Sequence, residues 1–213
     1  MSLWPVGVTV AAMCLMGPSV VGAQTGEFML RGFADIGRTT FSAERSFQAV
    51  LGSERGAVFG GGVEAVLPQR IFVHLRASRF RATGERVFLF DGERFRLGIP
   101  TTVTVTPLEL AGGYRFDYRW RIVPYAAAGV GWHRYTETSR FAETVENVSE
   151  RFQGYEILAG GEVRVTRWVS AAVEAQWTTV PDALGTAPDS VSREFQESDL
   201  GGATVRVKVV IGR

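Results

Sequence analysis

Polar and apolar residues alternate with a period of two along most of this chain. Such alternation is typical of β-strands that have apolar side chains on one face and polar side chains on the other. Helical periodicity is hard to find anywhere in the sequence. The alternating segments lie at residues 27–37, 57–67, 70–81, 102–116, 122–134, 152–166, 168–179 and 201–212.

The connections between these segments alternate between short and long. The short ones are Leu67–Arg70, Asp117–Arg121 and Thr166-Arg167. The long ones are residues 38–56, 82–101, 135–151 and 180–200. A meander with short turns at one end and long loops at the other is the topology of a bacterial outer-membrane barrel. The pattern therefore predicts an all-β protein, an eight-stranded antiparallel up-and-down transmembrane β-barrel.

A soluble barrel of the lipocalin type also alternates, but with its apolar face inward. Here the apolar face is rich in Ala and Val, which lipid can surround without voids, and the polar face holds several glycines, which a solvated strand disfavours. Aromatic residues stand at both ends of the apolar face, as membrane interfaces select. These features favour a membrane barrel, in which the apolar face is on the outside and contacts lipid. The predicted aromatic girdles are Phe59, Trp132, Tyr155 and Trp177 at the long-loop end, and Phe28, Tyr114 and Phe116 at the short-turn end.

The polar face carries cations and anions in equal number. An eight-stranded barrel is just wide enough to be filled by side chains, so buried charges there must pair. We therefore expect a plugged lumen, with a narrow gated pore as the alternative. The predicted lumen network consists of Arg31, Arg76, Arg115, Arg164, Arg206 and Lys208 with Asp35, Glu64, Glu109, Glu156, Glu162 and Glu174.

The fifth segment has a recurrent arrangement: Pro124-Tyr125, small residues, Gly129-Val130-Gly131 and then Trp132. Together with Gly60-Gly61-Gly62-Val63-Glu64, it resembles the outer-membrane β-barrel domain family, the small barrels of OmpA and OmpX type. The resemblance implies the bacterial outer membrane as location. It also implies outer-membrane lipid, lipopolysaccharide and the assembly machinery as partners. Family members often end in an aromatic residue, whereas this chain ends in Ile211-Gly212-Arg213.

The first residues predict a targeting segment. Val6 to Val21 is uncharged and mostly apolar and precedes Gly22-Ala23, so residues 1–23 are interpreted as a cleaved signal peptide and residues 24–213 as the barrel domain. No Lys or Arg precedes the apolar run, and an N-terminal anchor is the alternative. The one cysteine, Cys14, lies in this segment, so no disulfide is expected in the mature chain.

Composition and the few chemically reactive residues narrow the function further. The chain has 23 Lys and Arg against 22 Asp and Glu, which argues against a nucleic-acid partner. His74 with Ser78, and His133 with Glu137, are the candidate catalytic pairs, but no serine elbow or metal-ligand spacing accompanies them. We therefore expect no enzyme activity, no cofactor, no metal and a monomer. A lipid-modifying enzyme stays as an alternative.

The segment Arg86–Leu97 reads as two alternating runs about Asp91-Gly92, which is a strong hairpin signal. Strands three and four are therefore predicted to project beyond the membrane as a ribbon. Its Phe88, Phe90 and Phe95 either contact a partner or pack against residues 102–105. Long loops on a rigid scaffold favour a structural, surface-display or adhesive role over a solute pore.

Overall fold

The computed structural model describes residues 28–90, 93–116, 121–139, 148–185 and 191–212. The predicted signal peptide lies outside these residues. The strands close into one antiparallel barrel in which each strand pairs with its neighbour in sequence and β1 pairs with β8, which confirms the predicted fold. The strands are β1 (Met29–Phe41), β2 (Arg55–Val66), β3 (Ile71–Phe90), β4 (Glu93–Arg115), β5 (Ile122–Ser139), β6 (Val148–Arg164), β7 (Val169–Thr179) and β8 (Gly202–Gly212).

The register gives the barrel a definite stagger. Paired residues can be followed once round the wall from Arg31 through Glu64, His74 and the remaining strands, and the path returns to β1 at Phe41, ten residues further along. Such a shear requires tilted strands, roughly 40° from the barrel axis. Because the strands are tilted, residues paired across the wall lie at different heights.

The outer wall is apolar through its middle, and its aromatic residues stand at the two ends. All the predicted girdle residues are exposed on this wall: Phe28, Phe59, Tyr114, Phe116, Trp132, Tyr155 and Trp177. Trp168, which was not among the predicted girdle residues, is also exposed and extends the short-turn girdle. Between the girdles the wall presents Val, Ile, Leu and Ala, which is the surface that lipid requires.

Two of the predicted long loops contain helices that the periodicity did not show. They are α1 (Glu44–Leu51), between β1 and β2, and the one-turn α2 (Val191–Glu194), between β7 and β8. In the described part of the chain, neither helix combines the length and apolarity needed to span a membrane. The predicted loop 82–101 is mostly strand instead. There β3 and β4 stay paired as far as Phe90 and Glu93, so the ribbon predicted around Asp91-Gly92 is present.

Candidate functional site

The lumen is filled from the short-turn end upward, beginning with a quartet of charges from four strands. Arg31 Nη1 lies 2.8 Å from Glu162 Oε1, and Arg31 also pairs with Glu64. Arg115 spans the same two carboxylates, at 2.7 Å from Glu162 Oε2 and 3.2 Å from Glu64 Oε1. Each guanidinium thus bridges two strands across the lumen. Forked donors suit this arrangement because one arginine can satisfy two carboxylates.

Above the quartet, Glu174 is the centre of a second group. Its Oε1 accepts a hydrogen bond from Arg76 at 2.5 Å, and its Oε2 accepts one from the Tyr125 hydroxyl at 3.0 Å. Lys208 Nζ lies 3.4 Å from Glu174 and 3.7 Å from Glu64, which links this group to the quartet. Asp35 lies 3.4 Å from Arg76 and completes the group.

The third level is organised by an uncharged residue that was not among the predicted members of the network. Gln176 Oε1 accepts hydrogen bonds from Arg206 at 2.8 Å and from Arg76 at 3.3 Å. Its amide nitrogen donates to Glu109 Oε1 at 2.8 Å and to Glu156. Among the described residues, neither of these two carboxylates is paired with a cation within salt-bridge distance. This level is therefore the acidic part of the lumen.

One predicted member lies outside the network. Arg164 belongs to the inward-facing set by its position in β6, but it is exposed at the strand's end, beyond the last buried acid, Glu162. Water reaches a side chain at the rim, so it does not need a buried partner. The other predicted members are buried in the lumen. Without Arg164 the predicted charge balance becomes five cations against six anions.

Aromatic rings on the inner wall fill the space between the ion pairs. Phe33 lies with its ring centroid 4.9 Å from Lys208 Nζ, and the Tyr125 centroid is 5.0 Å from the same nitrogen. Cations over ring faces are stabilised by the ring quadrupole. A glycine makes room for Tyr125, since a Cβ on Gly160 would lie 2.5 Å from its Cζ. Inner-wall glycines therefore set where the large side chains fit.

The long-loop end of the lumen is closed by an apolar cluster, here called the cap. The ring of Phe47, on α1, stacks on Phe41 with centroids 4.0 Å apart, and Phe80 meets Phe41 edge-on at 4.8 Å. At Gly84 a Cβ would lie 1.9 Å from the Val50 carbonyl oxygen, so α1 reaches β3 only because that residue is glycine. The buried members of the cap are Phe41, Ala43, Phe47, Phe80, Val103, Val105, Val180, Ala183 and Leu200.

Two carboxylates fasten the cap to the barrel. Glu197 accepts hydrogen bonds from the backbone nitrogens of Arg45 and Ser46, at 3.0 and 2.8 Å, and so holds the N-terminal turn of α1. Asp199 accepts from the Val180 and Gly201 nitrogens, both at 2.7 Å, and ties the end of β7 to the start of β8. Negative charge at a helix N-terminus is favourable because the first N–H groups lack partners within the helix.

A tyrosine on the inward-facing side of β5 borders the cap. The Tyr135 hydroxyl donates to Glu137 at 3.0 Å, and the ring packs against the cap. Burial, together with the Glu137 carboxylate, holds the pKa of Tyr135 well above its ordinary value. The hydroxyl therefore stays protonated and donating across the physiological range.

The candidate catalytic residues lie inside the barrel. His74 is fully buried between Phe33 and Phe72, with ring centroids 6.0 Å from each, and Ser78 is buried further up the same strand. His133 borders a cavity of about 50 Å³ beneath the cap, together with Glu109 and Arg206. In the described part of the chain, no group of three His, Cys, Asp or Glu side chains could hold a metal ion.

The projecting ribbon leaves apolar side chains in the open. Phe95 and Leu97 are 47% and 49% exposed. The side chains of Phe88 and Phe90 lie outside the described residues, although their backbones pair with Phe95 and Glu93. The ribbon is therefore exposed at Phe95. For Phe88 and Phe90, both predicted alternatives, contact with a partner and local packing, stay predictions.

Comparisons with known proteins connect this geometry to a fold. No protein-family profile matches the chain, and none of the curated proteins matches its sequence. Among solved structures, a major outer membrane protein of Thermus thermophilus is 11% identical, with 88% of this chain and 100% of that chain covered and a TM-score of 0.57. The outer membrane protein OprG of Pseudomonas aeruginosa is also 11% identical, with 87% and 95% covered and a TM-score of 0.52. Neisserial surface protein A is 11% identical, with 86% and 96% covered and a TM-score of 0.51.

Proposed function

We propose that this chain, which has the fold of the small eight-stranded outer-membrane barrels, is a closed barrel that displays its long-loop end at the cell surface and conducts no solute. The observation that carries the proposal is the obstruction of the lumen at every level. The quartet, the Glu174 group and the Gln176 level fill the membrane-spanning part. The cap closes the long-loop end above them.

Opening such a lumen would be costly. A solute path past Glu174 requires Arg76 and Lys208 to move away from a carboxylate that both contact inside the barrel. Removing one partner from a buried ion pair typically costs about 3–5 kcal/mol, and several pairs would have to separate together. The cap adds a barrier of a different kind, because its rings are held by apolar burial rather than by charge.

Planar bilayer recording tests the closed lumen. The refolded chain is inserted at known amounts, and a heat-modifiable gel shift verifies that it is folded. We expect no steady conductance. The matched variant Glu197→Ala loosens the cap only, and it should stay silent because the ion pairs below still fill the barrel. Steady unitary currents from the unmodified chain would overturn the proposal and favour the narrow pore.

The display role rests on the ribbon formed by the ends of β3 and β4, where Phe95 and Leu97 are exposed above the membrane. Deleting residues 86–97 and joining the strands with an Asn-Gly turn should leave the gel shift intact, since the cap does not include these residues. Adherence of cells carrying the full and shortened chains to host or abiotic surfaces is then compared. Equal adherence would remove the ribbon from the proposal.

The proposal includes no catalytic step. His74 and Ser78 lie inside the filled lumen, where lipid in the surrounding membrane does not reach them, and this supports a non-enzymatic role. Lipid analysis of cells with and without the protein tests the alternative. A change in lipid A acylation or phospholipid content that returns with the intact chain, but not with His74→Gln, would establish lipid modification instead.

A further inference from the structure

The outer wall carries arginines at the level of the long-loop girdle and just above it. Arg79 and Arg81 are on β3, Arg134 is on β5 and Arg151 is on β6, and all four are exposed. Arg134 follows Trp132 by two residues, so both side chains face outward and the charge stands directly above the girdle. We call these four residues the arginine patch.

The register brings the patch together. Arg134 is paired directly with Arg151, so two like charges face each other across neighbouring strands. Arg134 is also paired with Thr106 on its other side, and the pairing of Phe80 with Val105 places Arg79 beside that same threonine. Like charges directly opposite each other destabilise a strand pair. A bound anion would remove that repulsion.

No carboxylate among the described residues forms an ion pair with the patch. Arg79, Arg81 and Arg151 make no ion pair within the described part of the chain, and the Arg134 guanidinium donates only to the Ser149 hydroxyl, at 3.3 and 3.4 Å. The nearest acids of β5 and β6 belong to the inward-facing set: Glu137 accepts from Tyr135, and Glu150 is paired with Tyr135. Within the described residues, the four arginines of the patch therefore face outward and form no ion pair.

We propose that the arginine patch binds the phosphate groups of lipopolysaccharide in the outer leaflet. Guanidinium groups match phosphate oxygens in a forked geometry, and the hydroxyls of Thr104 and Thr106 lie between the two basic strands. The height of the patch selects a lipid over a soluble anion, because the side chains project into the headgroup layer marked by Trp132 and Tyr155. This site goes beyond the closed, loop-displaying barrel and does not depend on conductance or adherence.

The test measures lipid binding to the folded protein in detergent micelles. The variants are Arg134→Gln/Arg151→Gln and, independently, Arg79→Gln/Arg81→Gln. The control Arg164→Gln/Arg167→Gln removes two exposed arginines at the short-turn end. Lipopolysaccharide is titrated while thermal unfolding is followed by the gel shift. We expect the lipid to raise the unfolding temperature of the unmodified chain and of the control. Affinity should fall about 10- to 100-fold in each patch variant.

Two further arms identify the ligand. Enzymatically dephosphorylated lipopolysaccharide should bind the unmodified chain as weakly as intact lipid binds the patch variants. Inorganic phosphate at millimolar concentration should not compete. Equal affinity of the patch variants and the unmodified chain overturns the proposal, and so does an equal loss in the control. Full competition by inorganic phosphate would replace the lipid with a general anion. Since all the substitutions are on exposed positions, the gel shift without lipid should be unchanged, and Arg134→Lys/Arg151→Lys should keep part of the affinity.

Discussion

The lumen network makes a prediction that separates specific contacts from the number of acidic side chains. Glu174→Gln and Glu156→Gln each replace one buried carboxyl group by an amide of the same shape. Either substitution changes the buried lumen set from five basic and six acidic side chains to five of each. If only the number of acidic side chains mattered, the two variants would have the same stability.

The contacts predict a large difference instead. Glu174 accepts from Arg76 at 2.5 Å and from Tyr125 at 3.0 Å, and Lys208 lies 3.4 Å away. Its replacement by Gln leaves two buried cations with weaker partners, so we expect a loss of about 3–5 kcal/mol. Glu156 accepts only from Gln176, and its Oε1 has no partner among the described residues. Its replacement should change the free energy of unfolding by about 1 kcal/mol or less, in either direction.

The assay is reversible urea unfolding of the barrel in lipid vesicles, followed by tryptophan fluorescence and checked by the gel shift. Linear extrapolation gives the free energy of unfolding of each variant, provided that the slopes agree. A loss below about 1 kcal/mol for Glu174→Gln would show that the contacts around Glu174 do not hold the lumen together. Equal losses in the two variants would show that the number of acidic side chains, not their pairing, determines lumen stability.

Three further predictions test the cap, the packing and the girdles. Glu197→Ala should speed hydrogen exchange of the α1 amides about tenfold, because two backbone donors lose their acceptor; unchanged exchange would contradict the fastening role. Gly160→Ala should cost about 1–3 kcal/mol in urea unfolding, because the added methyl group clashes with the Tyr125 ring and with the Val173 carbonyl oxygen. Gly32→Ala should be tolerated, because no atom lies within 4 Å of its Cβ. In variants whose only tryptophan is Trp168, lipids brominated near the headgroup should quench the fluorescence more than lipids brominated near the chain end. The opposite order would show that the short-turn girdle does not lie at the headgroup level.

The barrel and its girdles could be predicted because lipid imposes a simple rule on them. Every outward position between the interfaces must be apolar, so the period of two is visible in each strand without knowledge of its neighbours. The number of inward-facing glycines, such as Gly62 and Gly160, also indicated that large side chains fill the lumen. The pairing of particular charges could not be read in this way, because the partners are far apart in sequence: Arg31 and Glu162 are 131 residues apart.

The cap was missed for a physical reason. Helix α1 has only eight residues, too few to be stable by its own propensity. It forms because Phe47 stacks on Phe41 and because Glu197, far along the chain, accepts from its first turn. Each of these contacts depends on the closed barrel, so no local pattern predicts it.

Along the strands that include the segment predicted as loop 82–101, the apolar side chains change from the outward face to the inward face. On β4, Leu108 and Leu110 are apolar and face outward, whereas Val103 and Val105 are apolar and buried inside. The outward-facing positions beside these valines are threonines, Thr104 and Thr106. The inversion occurs where the surroundings of the wall change from lipid to water, because above the membrane the apolar core must lie inside, as in a soluble barrel. On β3 the same inversion falls between Ala77 and Phe80, with Arg79 facing outward beside it. The outer boundary of the hydrocarbon layer thus lies at this point on both strands, at the level where Trp132 and the arginine patch also stand.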